Sequence, residues 1–211
     1  VRREERANPT MTPYYDALEA EILLARGEES RALALARRAL DALPSSEALL
    51  QARVAAVAAE AARATGDDAL AFGLYERALQ KDPGTLRRLG LTIPARVTVQ
   101  GRGDAAEALG DALERSPRLR VSERGFRVTV TGDDRALRVC LASATGSDLG
   151  CTDTRAERNE PAEHLAGRAA EQFHRTAFAT RVGLSTQDLR SLDGSTTTND
   201  AAAREQMNGA L

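Results

Sequence analysis

Two stretches, GEESRALALARRALDALP from Gly27 to Pro44 and GDDALAFGLYERALQKDP from Gly66 to Pro83, decide how this chain is read. Laid over one another at an offset of 39 residues, they match at Gly27 and Gly66, Ala32 and Ala71, Ala39 and Ala78, Leu40 and Leu79, and Pro44 and Pro83. Self-similarity at a fixed offset means one local design used twice. Between glycine and proline each copy carries a helical pattern. The glycine suits the turn before that helix, and the proline stands where the helix must stop.

Working outward, SSEALLQARVAAVAAEAARATG supplies the first helix of the second unit, opened by a capping Ser45 or Ser46. Thr12-Pro13 reads as an N-cap followed by proline at the first helical position of the first unit. Four helices are predicted, over residues 13–26, 29–43, 46–65 and 68–81. The spacing of glycine, alanine, the site occupied by Ala36 or Tyr75, alanine and proline resembles the tetratricopeptide repeat. The period here is 39 residues, against about 34 in that family, and Asp16 and Ala55 stand where it places bulky residues. The resemblance implies that the first helices of the units line a concave, peptide-binding groove. Counting back from the turn glycines puts Tyr14 and Glu21 of unit one, and Arg53, Glu60 and Arg63 of unit two, on that face. Ordinary packed or solvated helix positions are the competing reading. One such hairpin cannot bury its apolar face alone, and about three are usually needed. Upstream repeats, a partner chain or the C-terminal half must therefore cap the stack.

After Pro83 the period changes to two. In IPARVTVQ, Ile93, Ala95, Val97 and Val99 fall on one side and Arg96, Thr98 and Gln100 on the other, the mark of a half-buried strand. Asp104 opens the helix DAAEALGDALERS, and RLRVSE, GFRVTVTGDD and RALRVCLASA follow as successive antiparallel strands. The helix PAEHLAGRAAEQFHRTAFA closes the series, with Leu165, Ala169, Phe173 and Ala177 on one face. The order is β-α-β-β-β-α, with LGCTDT as a last strand, and the class is α+β: a small antiparallel or mixed sheet with two helices on one face. Residues 93–182 resemble the periplasmic sandwich shared by TolB amino-terminal domains, the curli-secretion lipoprotein and the lipoprotein activators of penicillin-binding proteins. That resemblance implies a binding and assembly module of the bacterial envelope, without catalysis.

The two cysteines, Cys140 and Cys151, flank Thr145-Gly146 in RVCLASATGSDLGCTDT. If Thr145-Gly146 is a two-residue hairpin turn, the cysteines fall opposite one another, close enough for a disulfide. Two buried thiols, or metal or redox chemistry, are the alternatives. A disulfide implies an oxidising compartment such as the periplasm or cell exterior. No metal site is expected, since His164 and His174 lie ten apart with no zinc-ligand spacing.

Other chemistries find little support. The net charge of −2 gives no general attraction to nucleic acid, and no run approaches the length of a membrane helix. QGRGDAAEALG lacks the third glycine of a phosphate-binding loop and reads as a plain strand-to-helix turn. A serine hydrolase would call on Ser143 with His164 or His174, but no GxSxG turn presents a nucleophile. No cofactor is expected. Aromatics are only 3% and tryptophan is absent, so the core must be Ala, Leu and Val. The start, VRREERANPT, has neither an initiator Met nor an apolar leader and reads as a piece of something longer.

The expected organisation is a helical repeat domain over 1–90, a sandwich over 91–183 and a polar tail over 184–211 with short helices near 186–192 and 201–208. The expected function is a non-catalytic protein-interaction scaffold of a periplasmic or outer-membrane-associated assembly. A cytoplasmic adaptor is the alternative, and a serine hydrolase the more distant one.

Overall fold

The computed structural model describes residues 8–179. A 3-10 turn at Pro9–Met11 leads into α1 (Thr12–Ala25), followed by α2 (Glu29–Ala42), α3 (Ala48–Ala64) and α4 (Asp68–Lys81). The two hairpins α1/α2 and α3/α4 end their first helices identically. Gly27 and Gly66 take φ values of 74° and 84°. In the first turn the Gly27 and Glu28 amides donate to the carbonyls of Leu24 and Leu23; in the second, Gly66 and Asp67 donate to Arg63 and Ala62. This paired closure satisfies the last helical carbonyls and needs a left-handed residue, which explains both glycines.

The helix starts differ from the expected caps. Thr12 lies inside α1 after the 3-10 turn, and α3 begins after Glu47 rather than at Ser45 or Ser46, with no side-chain cap. Gln51 closes that connection instead, its buried amide donating to the carbonyls of Leu43 and Pro44 at 3.0 and 2.8 Å. Alanine sets the packing: Ala32, Ala36 and Ala39 of α2, and Ala55, Ala58, Ala59 and Ala62 of α3, are completely buried. Small side chains let the helix axes approach closely, with no rotamer entropy to lose. Asp16 sits in this apolar setting because Arg38 of α2 grips both carboxylate oxygens with its guanidinium fork.

A short helix that the sequence pattern did not suggest, α5 (Gly84–Arg88), follows Pro83. The buried Asp82 carboxylate accepts from the Gly84 amide and from Arg88. Gly90, at φ 66°, ends α5 by the same paired closure, with Gly90 and Leu91 donating to Arg87 and Leu86. A third unit thus begins, lasts little more than one turn and hands the chain to the sheet. Leu86, Ile93 and Phe126 join Tyr75 of α4 in one continuous core, with the Tyr75 and Phe126 rings edge-to-face at 6.5 Å. Of the possible caps for the stack, the C-terminal half is the one present among the described residues.

That half contains β1 (Ile93–Val99), α6 (Asp104–Glu114), β2 (Leu119–Val121), β3 (Phe126–Asp133), β4 (Ala136–Ala142), β5 (Asp148–Arg155) and α7 (Ala162–Ala177). The sheet is mixed, in the order β2-β1-β3-β4-β5, and α6 and α7 pack on one face. Leu109, Leu113, Leu165 and Phe173 meet Val128, Val130, Val139 and Leu141 there. The expected antiparallel neighbours β2 and β3 do not pair: both run parallel to β1, on opposite sides of it, and both reach Ala95. Four residues, Ser122–Gly125, carry the chain across β1. A Cβ on Gly125 would stand 2.4 Å from the Pro94 carbonyl oxygen, so only glycine fits this crossing. The short helices expected near 186–192 and 201–208 lie outside the described residues.

The β4–β5 hairpin carries the cysteines. Its connection is a three-residue loop, Ala144–Gly146, bracketed by the Ser143 amide donating to the Ser147 carbonyl, and not a two-residue turn at Thr145-Gly146. A register shift next to Leu141/Ala142 compensates, so Cys140 still faces Cys151. The pair is joined by a disulfide with a Cα–Cα distance of 4.1 Å, on the face of the sheet away from α6 and α7. Protein taken from its native compartment and alkylated without reduction is expected to show no labelled thiol. Replacing both cysteines by alanine should cost about 2–3 kcal/mol in urea unfolding, the chain-entropy value for so short a loop. Two labelled thiols would contradict the pairing.

Candidate functional site

The first helices of the two hairpins lie side by side, and a cleft of about 230 Å³ opens between them. On α1, Tyr14, Leu18 and Glu21 recur at helical spacing; on α3, Leu50, Arg53 and Val57 do the same. Apolar side chains supply most of the lining. Across the cleft the Arg53 guanidinium donates to both oxygens of Glu21, Nε at 2.9 Å and Nη2 at 2.6 Å. This bidentate bond holds the Arg53 pKa above its ordinary value. Both side chains are partly exposed, so the pair contributes at most about 1 kcal/mol to stability. Its larger effect is to leave a nearly neutral polar clasp beside an apolar floor.

Three of the five sequence-predicted groove residues, Tyr14, Glu21 and Arg53, meet in this cleft. Glu60 and Arg63 do not line it. The Glu60 carboxylate accepts from the Tyr75 hydroxyl through one oxygen and from Arg63 Nε and Nη2 through the other, at 3.1 and 2.7 Å. Burial, and then the adjoining Glu60, push the Tyr75 hydroxyl well above the usual phenol range. The helical period places Glu60 on the Arg53 side of α3, but Tyr75 closes over it. Sequence reasoning missed Leu18, Leu50 and Val57, although Leu18 and Val57 stand one turn beyond Tyr14 and Arg53 and are therefore on the same face.

The remaining candidates resolve as local structure. Ser143 is fully buried, and its Oγ accepts from the Ser147 amide at 3.0 Å and bonds Thr145 Oγ1 at 2.8 Å, so it shapes the loop. The histidine that meets a serine is His174, whose Nε2 lies 2.7 Å from Ser116 Oγ. Ser116 Oγ also accepts from the Arg118 amide, and the imidazole stacks on Phe178. Burial lowers the His174 pKa, and the nearby Arg118 charge adds to the effect. At QGRGD, Gly103 adopts φ 95° and the Ala105 amide donates to Asp134 Oδ1 at 2.9 Å. A carboxylate from the β3–β4 turn thus occupies the start of α6, where a phosphate would have to sit. Among the described residues no cluster of His, Cys, Asp or Glu is arranged to hold a metal, and no helix is long and apolar enough to cross a membrane.

Comparison with protein-family models, with curated proteins and with solved structures finds no match.

The His174 environment sets a pH dependence. A histidine whose pKa falls on folding binds fewer protons in the native state, so its contribution is full above the unfolded value near 6.5 and is lost as pH falls toward the folded value. Urea unfolding free energies of the intact chain should decline as pH drops below about 6.5, and His174→Gln should flatten that limb. An unaltered pH profile in the variant would contradict this account of His174.

Proposed function

We propose that the chain is a non-catalytic protein-interaction scaffold of a bacterial envelope assembly, and that the cleft between α1 and α3 receives a segment of its protein partner. The observation that carries this reading is the cleft itself: an apolar floor of Leu18, Leu50 and Val57 with a self-neutralised Glu21–Arg53 clasp. Apolar clefts with few fixed polar groups are the usual form of a binding site. A partner segment would bury side chains on the floor and exchange hydrogen bonds with the clasp, with no net charge to compensate. The resemblance of the hairpins to tetratricopeptide repeats supports a peptide-like ligand for this face. The resemblance of the sheet domain to envelope sandwich modules supports the location, and so does the Cys140–Cys151 disulfide, which suits an oxidising compartment.

A photo-crosslinking amino acid at Leu50, in the cell of origin, is expected to give one discrete protein adduct. Leu18→Asp combined with Arg53→Glu should reduce that adduct about tenfold or more while shifting unfolding free energy by no more than about 1 kcal/mol, since both sites are exposed. An undiminished adduct in a folded variant would remove the cleft from the interaction.

A further inference from the structure

At the β2 edge of the sheet the outermost strand is shorter than its neighbour. β2 stands beside Ile93, Pro94 and Ala95 alone, and its last rung is the Ser122 amide donating to the Ala95 carbonyl. There the chain leaves to cross β1, while β1 itself runs on beside β3 as far as Val99. The rungs fix which way the remaining backbone groups point. The Ile93 amide and the Ala95 carbonyl bond on the β2 side, whereas the Gln100 amide donates to Val130 of β3. Backbone groups alternate along a strand, so Arg96, Thr98 and Gln100 address β3, and Val97 and Val99 address the side on which β2 has ended. Among the described residues no strand lies beside them there.

The walls of this open slot carry a definite chemistry. Val97 and Val99 turn their side chains toward α6: a Cβ on Gly110 would stand 2.5 Å from Val99 Cγ2, so glycine lets the helix lie directly on that valine. Val121, on the same face of β2 as the buried Leu119, is 59% exposed, and Val99 is 39% exposed. Glu107 and Glu114 stand three positions before and four after Gly110, on one stripe of α6 with it. α7 lies over β4 and β5, so this stripe borders the open side of the helix. Both carboxylates are exposed, and neither enters an ion pair among the described residues.

We propose that the edge of β1 from Val97 to Val99 receives an extended segment of a partner protein with lysine or arginine at alternate positions, paired as a strand beyond the end of β2. The segment's backbone takes up the N–H and C=O groups of Val97 and Val99, the mode by which a peptide adds a strand to a sheet. Its basic side chains lie on the α6 side, with their methylene stems against Val97, Val99 and Val121 and their charged ends toward Glu107 and Glu114. The intervening residues fall on the opposite face beside Thr98 and the exposed Arg96, where neutral polar side chains fit and further cations do not. The site shares no residue with the cleft between α1 and α3 and stands or falls without it.

The probe is acetyl-Thr-Lys-Thr-Lys-Thr-Lys-Thr-amide, titrated into the intact chain at low salt, with amide hydrogen exchange followed residue by residue by NMR. At saturation the Val97 and Val99 amides should exchange about tenfold more slowly, and the peptide with glutamate in place of lysine should leave them unaltered. Glu107→Gln combined with Glu114→Gln should weaken binding about tenfold while the circular dichroism spectrum stays the same, since both sites are exposed. Two N-methylated peptides separate strand pairing from charge attraction. Methylating the lysine amides blocks pairing in the antiparallel direction, and methylating the threonine amides blocks it in the parallel one. One of the two must lose binding; retention by both would overturn the proposal. Unaltered Val97 and Val99 exchange at saturation would overturn it as well. So would protection of these amides that rises with protein concentration in the absence of peptide, because the occupant would then be a second copy of the chain.

Discussion

A helical hairpin built on alanine gains close backbone approach but little apolar area. Burying a methyl group contributes about 0.8 kcal/mol, against about 1.5–3 for a leucine or a phenylalanine. Two such hairpins leave the outward face of the second one uncovered, and the rest of this structure depends on how that face is closed. The chain begins a third unit in α5, ends it with the same glycine closure, and brings up the sheet. Tyr75 is the hinge point of this arrangement. It is the largest fully buried side chain in the molecule's described part, it stands edge-on to Phe126 of β3, and its hydroxyl shares with Arg63 the satisfaction of the Glu60 carboxylate. The corresponding residue in unit one is Ala36, which suits a face that must accept α3 closely.

Much of this was legible from the residues, because the strongest signals are local. Gly27 and Gly66 mark the helix ends since few other residues take positive φ, and the 39-residue offset makes the second unit a prediction from the first. Strand faces were equally legible: Phe126, Val128 and Val130 point inward as their alternation requires. The partner of each strand was not. Alternation says which side a residue faces and is silent about which strand lies beside it, so the crossing at Gly125 could not be read from β2 and β3 alone. The cysteine pairing was reached through a turn one residue too short, and the register shift after Leu141 made the pairing hold nonetheless. In the cleft, Tyr14, Glu21 and Arg53 follow from helical period and repeat offset. Glu60 and Arg63 follow the same rule and leave the cleft because Tyr75 of the same unit takes up Glu60, and Glu60 in turn holds Arg63.

The β5 edge of the sheet and the face of α1 are treated differently. A free sheet edge is a template for pairing with another chain. At β5, Cys151, Asp153 and Arg155 turn their backbone groups away from β4, as the close Cys140–Cys151 approach of a non-hydrogen-bonded pair requires. Side chains of α7 then occupy part of that edge: Gln172 donates to the Asp153 carbonyl at 3.3 Å and Arg168 to the Arg155 carbonyl at 2.8 Å. Arg168 is aimed by Glu160, whose carboxylate accepts from its Nε and Nη2 and is held down to a pKa of about 2, so the clamp persists over the whole physiological pH range. The helical end has no comparable guard. Leu18 and Ile22 meet solvent, and the ion pair beside them, Glu21 with Arg53, is already internally satisfied. An arginine, a glutamate and a glutamine thus cover part of the β5 edge, while two large aliphatic side chains on α1 stand open to solvent.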